Sequence, residues 1–73
     1  MNETLAQYYI ENNMTKLYFI SDYMNGNINI TEKDVIEICY LIDKHYNDQL
    51  CCPTTKLTFG QYTELYYINK YAC

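Results

Sequence analysis

Arginine and tryptophan are absent from this 73-residue chain; proline and histidine occur once each and glycine twice. Arginine is the usual bidentate reader of guanine and phosphate. Five lysines stand against nine acidic residues, for a net charge of −4. That balance opposes the counterion-release attraction behind most nucleic-acid binding, so no direct nucleic-acid partner is expected. Two isolated glycines cannot write a phosphate-binding loop or a dinucleotide fingerprint, and neither a nucleophile elbow nor a zinc-protease His pair occurs. No apolar run approaches the ~20 residues needed to cross a bilayer. Met1 to Ala6 has neither a basic start nor an apolar signal core, so a cytoplasmic protein without a membrane partner is expected. In that compartment the sequons at Asn2, Asn13 and Asn29 stay empty.

Cysteine chemistry is poorly supported by the spacing. Cys39, Cys51, Cys52 and Cys73 contain no C-x-x-C pair, and a bond between the neighbours Cys51 and Cys52 is strained. Free thiols are expected. A zinc site from Cys51, Cys52, Cys73 and His45 lacks the usual loop between ligands, so neither metal nor cofactor is expected. His45 lies beside an apolar stripe and reads as a core or boundary imidazole rather than a general base. Cys52 is the one candidate nucleophile, with nothing basic beside it in sequence to lower its pKa. The expectation is a protein that is not an enzyme.

What the chain has in quantity is tyrosine, ten in all. Tyrosine offers a large, stiff contact area with a polar tip and is enriched at protein interfaces. Eight asparagines with only two alanines and one valine also suit an AT-rich genome, which accounts for part of the tyrosine content.

The hydrophobic pattern predicts one mainly α-helical domain over residues 1–73, a three-helix bundle with room for one short two-stranded β-bridge. Ala6, Ile10, Met14, Leu17, Ile20 and Met24 recur at helical spacing and predict a first helix over about 3–24, ended by Asn25-Gly26. Asn12-Asn13 is its weak point, where Thr15 would cap a second piece. Thr31 to Asp34 resembles a capping box opening a helix over 32–47, with Val35, Ile38 and Ile42 inward. Thr58-x-x-Gln61 is a second such box, opening a helix over 59–71 with Tyr62, Leu65, Tyr66 and Asn69 on one face. The alternation at Asn27 to Ile30 could pair with Lys56-Leu57. Three similar amphipathic stretches around Leu17, Ile38 and Leu65 are unequally spaced and do not make a repeat.

Tyrosines and carboxylates share the remaining faces. Tyr8, Glu11, Tyr18 and Asp22 recur on the first segment, Glu37 and Tyr40 on the second, and Glu64, Tyr67 and Tyr71 on the third. Rigid phenols rimmed by acids suit a basic protein partner, the phenols anchoring and the acids steering. Acids at helical spacing also simply solvate a surface.

In size, acidity, AT-rich alphabet and lack of catalytic motifs, the chain resembles the small host-takeover and anti-defence proteins of phages of low-GC bacteria. The resemblance covers composition along the whole chain and rests on no motif. It implies a viral protein in the host cytoplasm that inhibits a larger host protein with a basic nucleic-acid-binding surface, such as a replication clamp, polymerase, nuclease or CRISPR effector, in part by imitating DNA. The peptide by which proteins commonly dock on the clamp is matched by neither Asp48 to Cys52 nor Lys56 to Phe59. Two other readings stand beside it: a homo-oligomeric structural or scaffold protein whose tyrosine stripes bury against copies of themselves, and a redox or metal protein using Cys51 and Cys52. Because a core this small supplies only roughly 3–5 kcal/mol, a homodimer is expected.

Overall fold

A computed structural model describes residues 2–72. They form four α-helices: α1, Asn2–Glu11; α2, Lys16–Met24; α3, Glu32–Gln49; and α4, Phe59–Tyr71. The all-α class is as expected, but the helix expected over 3–24 is two helices, and the middle one runs past residue 47 to Gln49. No strand occurs among the described residues, so the β-bridge is not formed. Ile28, Ile30 and Leu57 instead pack singly against the core.

The break in the first segment has a local cause. Asn13 adopts φ 57, its N–H donates to the Ile10 carbonyl (3.1 Å) and the Met14 N–H donates to the Tyr9 carbonyl (2.8 Å). This is the Schellman closure of a helix end, and asparagine is among the few residues that enter the left-handed region readily. Gly26 (φ 79) ends α2 in the same way, with the Asn27 N–H donating to the Asp22 carbonyl (2.9 Å). Cys51 (φ 56) ends α3 likewise, with the Cys52 N–H donating to the Asn47 carbonyl (2.9 Å).

Helix starts follow the capping signals. Thr31 Oγ1 accepts from the Asp34 N–H (3.3 Å), and the Thr58/Gln61 box is complete in both directions. Thr15 has the extended backbone of a cap, but its hydroxyl makes no capping bond.

The core consists of Ala6, Tyr9, Phe19, Ile20, Val35, Ile38, Cys39, Ile42 and Tyr62. α3 supplies four of these and is packed by the other three helices, the central place its wide apolar girth suggests. The break turns α2 so that Phe19 joins Ile20 inside. Ile10, Met14, Leu17 and Met24, expected on the inward stripe, are only partly buried. Tyr9 takes the place assigned to Ile10 on α1, its ring edge-on to Phe19 at 5.4 Å. Across the break, Tyr46 Oη donates to the Met14 carbonyl (2.9 Å), and a half-buried Lys16–Asp43 ion pair (2.8 Å) ties α2 to α3.

Among the described residues, no helix is long and apolar enough to cross a membrane.

Candidate functional site

The ten tyrosines divide into three groups. Tyr9 and Tyr62 are buried, Tyr23, Tyr40, Tyr46 and Tyr66 are half-buried, and Tyr8, Tyr18, Tyr67 and Tyr71 keep 54, 61, 45 and 74% of their surface exposed. Tyr8, Tyr18, Tyr40, Tyr67 and Tyr71, the tyrosines expected to stay at least partly exposed, all do so; Tyr40 is the most covered of them, half-buried with the Lys56 ammonium 5.4 Å from its ring centre.

Three of the exposed tyrosines lie on α2 and α4: Tyr18 lines the groove between these helices, and Tyr67 and Tyr71 stand beside it on the outer side of α4. A groove of about 570 Å³ runs between these helices, lined by Thr15, Leu17, Tyr18, Ser21, Tyr66, Asn69 and Lys70. A smaller one of about 340 Å³ shares Leu17 and Asn69 with it and reaches Leu65 and Ile68. Tyr66 meets Tyr67 edge-on (5.2 Å), and Tyr67 stacks on Tyr71 (6.4 Å, rings 6° from parallel). The Lys70 ammonium lies 5.8 Å from the Tyr66 ring centre and 5.7 Å from that of Tyr71. Glu64 is exposed one turn before Tyr67 and Ile68.

A second face is built by α1 and α3. One groove, about 460 Å³, is lined by Asn2, Glu3, Glu37 and Leu41; another, about 520 Å³, by Glu3, Thr4, Gln7, Tyr8 and Glu11. They meet at Glu3. The Tyr8 ring is held edge-on to buried Tyr9 at 5.3 Å, which fixes an exposed phenol on the core. Glu37 pairs with Lys56 (2.8 Å), which also covers Tyr40, and Glu11 accepts a hydrogen bond from Gln7 (3.3 Å).

Asp22 belongs to neither face. Its carboxylate accepts a hydrogen bond from Tyr9 Oη at 2.6 Å, joining α1 to α2. Burial, and then the Asp22 carboxylate, push the Tyr9 phenol well above its ordinary value. Asp22 is therefore a structural partner of Tyr9, where the spacing placed it on an outward stripe. The expected residues thus separate into Tyr8, Glu11, Glu37 and Tyr40 on one side, and Tyr18, Glu64, Tyr67 and Tyr71 on another. Glu3, Tyr66, Ile68 and Lys70 join them unforeseen. Ile68 and Lys70 flank Tyr67 and Tyr71 at one-turn spacing, a signal available in the sequence.

Cys39 is buried, and burial, followed by the Asp43 charge, pushes its thiol up to about 12. Cys51 and Cys52 are exposed; Cys73 lies outside the described residues. Among the described residues no group of three His, Cys, Asp or Glu side chains is placed to hold a metal ion. His45 is half-buried, edge-on to Tyr46 at 5.3 Å, with Gln49 Nε2 3.2 Å from its Nε2.

No family model, curated protein or solved structure matches the chain.

Proposed function

We propose that this protein is a non-enzymatic inhibitor that docks on a basic, nucleic-acid-binding surface of a larger host protein through its α1–α3 face. The reading rests on one observation: with the core closed, Tyr8 remains 54% exposed yet packs edge-on against buried Tyr9, in a groove that also bears Glu3 and Glu11. A pre-ordered phenol loses little freedom on binding, and flanking carboxylates steer a basic partner toward it. The phage-type origin suggested by composition is part of this proposal.

The test is capture from a host lysate at low salt, with the retained protein identified and then challenged with double-stranded DNA. DNA should displace it. Tyr8→Ala should weaken retention about tenfold or more. Glu3→Gln and Glu11→Gln should mainly slow association, with a loss that shrinks as salt rises. A partner held equally by all three variants, or no partner at all, overturns the proposal.

A further inference from the structure

We propose that the α2–α4 face is covered by a second copy of this chain, in a two-fold pairing that leaves the α1–α3 face free. Phe59, Tyr62, Leu65, Tyr66, Tyr67, Ile68 and Tyr71 are spread around α4 among Gln61, Thr63, Glu64, Asn69 and Lys70, so large apolar side chains face outward as well as inward. The helix is enclosed on one side: it rests on α2 and α3, and only Tyr62 is fully buried. Tyr67, Ile68 and Tyr71, exposed by 45, 56 and 74%, follow one another along its outer side, and Tyr18, exposed by 61%, stands across the groove.

With roughly 150–250 Å² per aromatic side chain, the exposed parts of these four residues amount to roughly 500 Å². A standard interface needs about 800 Å² from each partner. Half-buried Leu17 and Tyr66 and the polar rim of Thr15, Ser21 and Asn69 are placed to supply the rest. That requirement is about a sixth of the 5058 Å² surface of the chain.

Charge chooses the occupant. Two copies of a chain with net charge −4 repel one another wherever their acids meet. On the α2–α4 face, Lys16 is paired with Asp43 and Asp22 is turned to Tyr9. Lys70 and Glu64 remain, and they cancel. A neutral aromatic face offers a basic partner no steering, but lets a second copy approach without like-charge cost. The two-fold arrangement requires one patch to complement itself, and stacked phenols that both donate and accept hydrogen bonds meet that requirement. Burying this face also adds apolar area to a small core.

Sedimentation equilibrium between 1 and 100 µM protein, under reductant so that Cys51 and Cys52 cannot cross-link, tests the pairing. The expected mass at the upper concentrations is twice 8.8 kDa. Ile68→Ser and Tyr71→Ser, both at exposed positions, should each weaken self-association about tenfold or more with the helical spectrum unchanged. Tyr8→Ser on the other face should leave the dimer intact. A single-chain mass at 100 µM overturns the proposal, as does a dimer indifferent to both α4 changes or lost with Tyr8→Ser. Capture of the host protein by Tyr8 variants is read separately, so either proposal can fail alone.

Discussion

Replacing Cys51 with glycine is expected to stabilise the protein, and replacing Gly26 with alanine to destabilise it, because the two residues occupy equivalent positions at helix ends. Cys51 closes α3 at φ 56, with its N–H 3.3 Å from the Asp48 carbonyl and its side chain in solvent. A left-handed conformation costs an L-residue roughly 1–2 kcal/mol. Glycine removes that cost, while the greater freedom of the unfolded chain returns about 0.4–1 kcal/mol. The net gain is about 0.5–1 kcal/mol, or roughly 2–8 °C in Tm for a domain of this size. At Gly26, with φ 79, an added Cβ meets nothing within 4 Å. The loss there is a backbone effect alone, about 1 kcal/mol. Asn13→Gly should fall between, since asparagine tolerates φ 57 better than cysteine does. Urea denaturation under reductant, with the slope unchanged, measures all three as shifts in midpoint. A lower midpoint for Cys51→Gly, or an unaltered one for Gly26→Ala, would refute the account of these helix ends.

Ile38→Ala, at a fully buried position of α3, should cost about 2–5 kcal/mol, read from the thermal loss of helical circular dichroism. Tyr9→Phe deletes a 2.6 Å bond to the Asp22 carboxylate and should cost about 1.5–3 kcal/mol; Tyr46→Phe deletes a neutral bond to the Met14 carbonyl and should cost only about 0.5–1.5 kcal/mol. Denaturation midpoints in the reverse order would contradict the Tyr9–Asp22 tie. At high pH, the folded chain holds the Cys39 proton up to about 12, while the ordinary thiol releases it near 9.0. This contribution to stability is complete below pH 9 and is lost as pH rises toward 12. The raised phenols of Tyr9 and Tyr62 add to the loss above their ordinary 10.0. Cys39→Val should move the onset of alkaline destabilisation from near pH 9 to near pH 10, measured as urea midpoint against pH.

The parts of the fold written locally were legible. The threonine caps before α3 and α4 place their starts at Glu32 and Phe59, and Val35, Ile38 and Ile42 are inside as the 3.6-residue period requires. The single long first helix was misread because an unbroken periodicity runs through Asn12 and Asn13. Periodicity reports which residues would share a face if the helix continued, and says nothing about whether it does. The local closure at Asn13 is reinforced by a remote contact that the sequence does not show: the Tyr46 hydroxyl on the Met14 carbonyl spans 32 residues. The inward positions of Tyr9 and Phe19 follow from that turn and could not be assigned before it.

The candidate surface was legible in kind and illegible in arrangement. Each outward residue was found from its own helix, where spacing fixes a direction. Whether two helices direct their outward residues to the same side depends on how they cross. Asp22 shows the consequence. On a continuous helix it extends the stripe of Tyr18, but once the chain folds back at Asn13, its carboxylate lies within 2.6 Å of the Tyr9 hydroxyl and becomes an internal tie. α4 carries the same lesson in its composition. An amphipathic helix announces its one buried side, whereas α4 has apolar residues on every side and rests on α2 and α3 along one. Its sequence therefore announces that something should enclose it without saying what, and only the cancelling charges around Tyr67 and Tyr71 distinguish a second copy from a basic partner.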